Sequence, residues 1–349
     1  MIDWVTAVIP VRHEVIHGGI SFKTCREGAV ISERLEKLTA RGSYDASIQI
    51  RTNRIHADGQ GCEIYLDGNP SKFLQGHNVI GSDDVCYLVA ESVKRIFDSE
   101  NTPLDDFSYR AMLNGGFILK RVDINYSYEL PSFSDVMAWI SAASVQSRLP
   151  FRGKPRFFDS SIYWGLGSST WHIKAYSKFN EIINGRKKSQ KLPPELANSP
   201  LLPFAENKLR IELQLRKELG RIALKKFNKD EFYAYNCTNE FINEIFNDYV
   251  GRIEMNGNIT FTDKDLNKLP PRLRMTVVGW RAGYDMKSEL PRNTFYRHRK
   301  EIMRLADIDI SLPCVGAKAP TNNVVPFVRP LLAKPAEIPE TLNKYVIGL

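Results

Sequence analysis

The residues of this chain best suited to chemistry lie in three short stretches where polar and apolar side chains alternate, as they do along a β-strand with one buried face. In Arg121-Val122-Asp123-Ile124-Asn125-Tyr126, the residues Val122, Ile124 and Tyr126 fall on one side and Arg121, Asp123 and Asn125 on the other. In Arg210-Ile211-Glu212-Leu213-Gln214-Leu215-Arg216, the residues Ile211, Leu213 and Leu215 oppose Arg210, Glu212, Gln214 and Arg216. In Trp171-His172-Ile173-Lys174-Ala175-Tyr176-Ser177-Lys178 the polar set is His172, Lys174, Tyr176 and Lys178. If these strands share a sheet, one face carries two carboxylates, a tyrosine and several cations. Carboxylate oxygens are hard ligands suited to Mg²⁺ or Mn²⁺, and a cation held there polarises a phosphodiester. A tyrosine hydroxyl, with a pKa of about 10, needs a nearby cation or metal to react as phenolate. Lys178 and His172 are placed to help, and Lys178 could equally clamp a phosphate. The ordinary alternative is an outer face of cross-strand ion pairs, and alternation alone favours it.

One further segment, Pro70-Ser71-Lys72-Phe73-Leu74-Gln75-Gly76-His77-Asn78-Val79-Ile80-Gly81, reads as a loop that combines two glycines with His77 and Asn78. Loops carry functional polar residues more often than cores do. His77 could be a metal ligand, a phosphate donor or a hydrogen-bonded structural residue, and a lone histidine is usually the last.

The elements that must position these residues form an α+β pattern. Short strands (45–50, 62–66, 117–128) are interrupted by amphipathic helices over 83–97 and 134–145. A hairpin follows, 160–164 turning into 170–176, and then a strand over 208–216. This mixture predicts a domain built on an antiparallel sheet. Beyond Leu219 the spacing becomes helical, over 221–227, 239–249, 263–269, 272–282 and 293–306, with Pro291 and Asn293 favouring initiation of the last helix. That helix carries Arg292, Tyr296, Arg297, Arg299 and Lys300, as a DNA-reading helix or an ordinary surface helix would. The tail after Ser311 has six prolines and no periodicity and reads as an extended arm that wraps the surface. The expected division is a sheet domain over 1–220, a smaller, mainly helical DNA-binding domain over 221–310, and the arm over 311–349.

Composition narrows the function classes. The 349 residues hold 48 Lys+Arg against 40 Asp+Glu, a net charge of +8. Nine basic residues against two acidic ones between Phe151 and Lys191, and 15 against nine from Met255 onward, point to a polyanionic partner. The five cysteines are scattered without a C-x-x-C pair, which fits reduced thiols rather than a zinc finger. The six histidines form no H-x-H or H-E-x-x-H motif. No apolar run is long enough to span a bilayer, and Met1–Pro10 reads as a strand rather than a leader, so no membrane and a cytoplasmic location are expected.

Taken together, these patches resemble the gene II replication initiators of filamentous phages and related phage and plasmid replication proteins. The resemblance runs almost end to end and is most specific at 70–79, Arg121-Val122-Asp123, Ala175-Tyr176-Ser177-Lys178, Arg210-Ile211-Glu212, Gly283-Tyr284-Asp285, 291–295 and 322–329. It implies a rolling-circle initiator, a strand-specific nickase that also rejoins the strand, distantly related to the HUH endonucleases although the His-hydrophobic-His pair is missing. It places the nucleophile at Tyr176, the tyrosine that alternation also selects, with Lys178 beside it and Tyr163 as the fallback. The implied metal ligands are Asp123 and Glu212, with His77 or Glu63 as a third. Lys174, Arg121, Arg210, Arg292, Arg297 and Arg299 are the implied DNA contacts. Partners would be double-stranded origin DNA, the nicked strand, and a helicase and polymerase of the bacterial host, with an oligomer on DNA an option. Met255 matches the family's internal start for a shorter C-terminal product.

Three other classes compete. A non-catalytic origin or operator binder would leave DNA intact. A tyrosine recombinase, invited by Arg297-His298-Arg299, would need a helical catalytic domain with its tyrosine near the C-terminal end. A nuclease using activated water would leave no covalent adduct.

Overall fold

The computed structural model describes residues 1–150, 152–158, 160–255, 269–281, 284–306, 310–311 and 335–348. The chain opens with β1 (Ile2–His13), the hairpin β2 (Gly19–Thr24) and β3 (Val30–Glu36), then β4 (Leu38–Arg41), β5 (Ser47–Ile55) and β6 (Gly61–Gly68). Helices α1 (Pro70–Gln75), α2 (Val85–Ser99) and α3 (Asp106–Leu113) lead to β7 (Ile118–Glu129) and α4 (Phe133–Gln146). After β8 (Ser147–Arg148), β9 (Arg156–Phe158), β10 (Ser161–Trp164) and β11 (Trp171–Ser177) come α5 (Lys178–Asn184), α6 (Leu201–Ala205) and β12 (Lys208–Leu215). The remainder comprises α7 (Glu218–Ile222), α8 (Asn239–Gly251), β13 (Glu254–Met255), α9 (Pro271–Arg281), α10 (Met286–Glu289) and α11 (Arg292–Ala306).

Nine strands form one sheet in the order β4-β5-β6-β1-β7-β12-β11-β10-β9, and neighbouring strands run antiparallel. The fold is therefore α+β, an antiparallel sheet followed by a helical C-terminal part. Alternation explains the layering. Val5, Ala7, Ile9, Ile50, Ile64, Val122, Ile124, Ile173, Ile211 and Leu213 all point to one side, where α2, α4 and α8 cover them in a single apolar core. The period-2 pattern of the strands meets the 3.6-residue stripe of the helices there, and that burial is the main stabilising term. The opposite side of the sheet carries the polar set.

Three departures from the sequence reading bear on that polar side. The 70–81 segment is not all loop. Asn69 caps α1 by accepting from the Lys72 N–H, Pro70 opens the helix, and Gly76 ends it in the left-handed conformation (φ 83°). A Cβ at Gly76 would stand 2.1 Å from the Tyr44 ring, so both backbone and space demand glycine. Second, the stretch after residue 221 divides. The α8 side chains Phe241, Ile242, Ile245 and Phe246 join the core of the sheet, whereas Leu273, Val277, Phe295 and Ile302 of α9 and α11 gather round a separate small core. Third, the described end of the tail is not extended throughout. A 3₁₀ turn over Glu340–Tyr345 buries Leu342 and Val346 against Val79, Ile80, Ile182 and Leu201. The helix expected over 263–269 and the 322–329 patch lie, apart from Leu269, outside the described residues. No helix among the described residues is long and apolar enough to cross a membrane.

Candidate active site

Register alone assembles most of the site. Across β11, β12 and β7 the polar side chains stand in three rows: Tyr176–Arg210–Ser127, Lys174–Glu212–Asn125 and His172–Gln214–Asp123. Glu212 is the centre of this grid, with Tyr176 diagonal to it on one side and Asp123 diagonal on the other. Diagonal neighbours in a sheet lie about 7–8 Å apart at Cα, within reach of long side chains. The grid floors a cleft of about 1250 Å³ whose walls come from 42–47, α1 and its flanks, and 189–195. Asp3, Arg121, Asp123, Lys174, Tyr176, Lys178, Glu181 and Glu212 all line it.

Tyr176 is 2% exposed, and its hydroxyl donates a long hydrogen bond (3.5 Å) to Glu212 Oε2. The Lys174 ammonium lies 3.6 Å from the centre of the tyrosine ring, a cation–π contact. Burial, with the carboxylates of Glu181 and Glu212, pushes the phenol well above its ordinary pKa, so at rest it keeps its proton. Burial likewise raises Glu212 to about 7, helped by Asp3, Asp123 and Glu181 against the opposing pull of Lys174. Asp123, also buried, is raised by desolvation even though Arg121 pairs with it in a two-pronged salt bridge and Gln214 Nε2 donates to it at 2.9 Å. Glu181 behaves in the opposite way. Its burial opposes ionisation, but Lys178 at 2.6 Å and Lys174 at 3.7 Å outweigh that and hold it at about 2. The site thus contains one firmly ionised carboxylate held by two lysines, beside Glu212, whose carboxyl is raised to about 7.

Sequence reasoning passed over Asp3. The β1–β7 register shifts between Ile2 and Trp4, so Asp3 is an extra residue near Asp123, and a bulge of this kind re-aims a side chain. Asp3 Oδ1 accepts hydrogen bonds from Asn69 Nδ2 and Asn78 Nδ2 (2.8 Å for the latter), which ties it to α1 and the 76–81 turn. The signal that could have found it is a lone charged residue in the mainly apolar opening strand Ile2–Ile9.

Other expected residues fall elsewhere. His77 is buried, with Nε2 3.0 Å from the Tyr345 carbonyl and Nδ1 facing the Val79 N–H. It braces the tail against the 76–81 turn and is outside the cleft lining. Burial lowers it to about 4, with Lys178 and Arg210 adding to the effect against the Tyr345 bond. Glu63 pairs with Pro10 in β1 whereas Asp123 pairs with Trp4, six residues or about 20 Å away along the strand. It bonds Asn53 instead. Neither supplies a ligand near Glu212. Arg210, expected at DNA, is 1% exposed and spends its guanidinium on the carbonyls of Asn78 and Val79 and on Ser127, stapling the turn to β12. Tyr163, the fallback nucleophile, stands on the polar side, half-buried and paired with Lys174. On α11, Arg292 and Arg297 are exposed, as expected of DNA contacts, but Arg299 is half-buried and faces the Phe157 ring of β9 at 5.9 Å.

Among the described residues no three His, Cys, Asp or Glu side chains form a ready-made metal cage. The donors nevertheless suit a hard cation that keeps much of its water. Asp123, Glu212 and Asp3 offer oxygen only, and the buried Gln214 Oε1, beside Asp123, has no hydrogen-bond partner. Mg²⁺ commonly binds through one or two carboxylates and completes its shell with water and substrate phosphate.

Against this geometry, the comparisons agree along the whole chain. A family model for the N-terminal part of the phage replication-associated protein of gene II matches residues 1–237, and the model for the C-terminal part of the same protein matches 261–346. The gene II replication-associated protein of Enterobacteria phage I2-2 is 39% identical over 348 residues, covering 100% of this chain and 98% of that protein.

Proposed function

Because the chain belongs to the gene II family of phage replication-associated proteins, we propose that it starts rolling-circle replication by cutting one strand of a double-stranded origin with Tyr176 and later rejoins the displaced strand. The observation that carries this reading is the buried tyrosine whose hydroxyl meets a carboxylate of raised pKa while a lysine covers its ring. A phenol is a poor nucleophile until its proton has somewhere to go. Glu212 Oε2 accepts that proton as Tyr176 Oη attacks the scissile phosphorus. The Oη–P bond forms, the P–O3′ bond breaks, and the departing 3′ oxygen takes a proton from solvent water to become a hydroxyl, free to prime synthesis. The 5′-phosphotyrosine retains the energy of the phosphodiester, so attack by a 3′-hydroxyl reverses the step without ATP. Lys174, at the tyrosine, offers charge to the phosphate oxygens, and Lys178, held by Glu181, keeps that wall of the cleft cationic. Asp123 and Glu212 would hold a divalent cation, Mg²⁺ or Mn²⁺, with Asp3 in place of His77 or Glu63. When bound, the cation supplies Lewis-acid polarisation of the phosphate.

The sheet thus serves as an HUH-like nickase built without a histidine pair. The exposed α11 residues Arg292, Tyr296, Arg297 and Lys300 bind the duplex beside it, mainly through phosphates. Tyr176→Phe is expected to bind origin DNA with wild-type affinity and to nick supercoiled origin plasmid below detection. Nicking by Tyr176→Phe would overturn the assignment, and wild-type binding without any cutting in Mg²⁺ would favour a non-catalytic binder.

A further inference from the structure

The polar side of the sheet does not end at the grid. Two residues beyond Gln214, just past the end of β12, stands Arg216, and two residues along β7 from Asp123 stands Arg121, opposite Thr6 of β1. Beyond them lies a second cavity of about 620 Å³, lined by Thr6, Tyr65, Lys120, Arg121, Arg216 and Lys217 among others. Arg121 lines both cavities, so the two adjoin at that side chain. From Tyr176, which pairs with Arg210, to Arg216 is six residues of strand, about 20 Å.

The charges of this second cavity are arranged differently from those of the first. Lys120 is neutralised by Glu231 at 2.6 Å, and Asp67 by Lys37 at 2.7 Å. Arg216 and Lys217 are exposed and, among the described residues, form no salt bridge. They add net positive charge to an open groove. The Tyr65 ring at its rim has Lys37 and Arg51 over it, at 4.9 Å and 5.6 Å from the centroid. His172, opposite Gln214, is lowered to about 4, first by burial and further by the cations Arg216, Arg121, Lys174 and Arg152. Exposed cations without salt-bridge partners, in a cavity that also holds an aromatic ring and adjoins the phosphodiester-cutting cleft at Arg121, match one ligand chemistry: the sugar–phosphate backbone of unpaired nucleic acid.

We propose that this second cavity binds the single strand a few nucleotides from the bond cut at Tyr176, with Arg216 and Lys217 contacting its phosphates. The proposal rests on the nickase reading for which strand enters, but the groove's affinity for a single strand can be measured without cutting. The probe is a 20-residue oligothymidylate in EDTA, titrated by fluorescence anisotropy between 50 and 300 mM NaCl, since phosphate contacts are indifferent to sequence. Each phosphate contact on a single strand contributes about 0.7 to the slope of log K against log salt. The Arg216→Ala/Lys217→Ala double variant is therefore expected to lose about 1.4 from the wild-type slope. Lys94→Ala/Arg110→Ala removes the same charge from exposed positions on α2 and α3, across the sheet from the groove, and is expected to keep the wild-type slope. An unchanged slope in the groove variant, an equal loss in the control, or no binding of oligothymidylate by wild type each overturns the proposal. If the slope falls as expected but wild type never nicks origin plasmid in Mg²⁺, the nickase reading fails and the groove stands.

Discussion

The cleft on the sheet and the outer side of α11 are both rich in charge, and they use it in opposite ways. In the cleft and its floor, Asp123, Lys178 and, beneath the lining, Arg210 are buried, and each is compensated by a named neighbour: Arg121 and Gln214, Glu181, and the carbonyls of residues 78 and 79. On α11, Phe295, His298 and Ile302 turn inward while Arg292, Arg297, Lys300 and Arg304 project into solvent. A buried charge is costly unless paired, so the fold specifies its position closely. An exposed one costs little, is screened by salt, and acts through long-range attraction. Positional accuracy suits bond breaking and loose attraction suits duplex capture, so the two regions divide the task.

Substitutions should separate the regions accordingly. The largest effect is expected for Glu212→Gln, which removes the proton acceptor of Tyr176 and should reduce nicking at least about 100-fold, measured as relaxation of supercoiled origin plasmid, while origin affinity is unchanged. Asp123→Ala leaves Arg121 without its carboxylate and should cost about 3 kcal/mol in urea melts. Arg297→Ala, an equal loss of one charge, should stay within about 0.5 kcal/mol of wild type. Similar costs for the two would mean that the contrast drawn here is wrong.

Acid tests the buried side of the comparison. His77 and His172 both sit at about 4, so between there and the ordinary histidine value of about 6.5 the unfolded chain takes up protons that the native state refuses. Stability therefore falls as pH falls through that window, by about 1.4 kcal/mol per pH unit for each histidine. Glu212, raised to about 7, contributes with the opposite sign, because its native carboxyl is protonated first. The informative quantity is the difference between proteins: His172→Asn should flatten the stability–pH curve by one proton between about pH 6 and pH 4.5. The smallest expected effect is at α11 itself, where Arg297→Ala should reduce the salt slope of duplex binding by about 0.9 with no change in nicking of bound DNA.

How far the sequence revealed this arrangement depended on whether a feature was local. Alternation is local, and it placed Tyr176, Lys174, Glu212 and Asp123 on one side of a sheet because period 2 leaves little choice. The helices over Val85–Ser99 and Arg292–Ala306 were legible for the same reason, from apolar spacing and their flanking caps. Alternation does not say what covers the polar side. Arg210 read as a DNA contact, and the role of His77 stayed open between ligand and structural residue, because the groups that enclose them, the 78–79 carbonyls and Tyr345, are 131 or more positions away. Asp3 escaped notice because its aim depends on a bulge, which breaks the period on which the reading relied. Arg216 and Lys217 were visible as charges, but only the fold shows that they border a groove shared with Arg121.

The central claim, that Tyr176 becomes covalently joined to the strand it cuts, is tested most directly by incubating the protein with supercoiled origin plasmid and Mg²⁺, digesting the adduct and mapping the DNA-linked peptide. The account predicts a peptide carrying a 5′-linked nucleotide on Tyr176. A linkage to Tyr163, a 3′ linkage, or cut DNA with no attached peptide would contradict it.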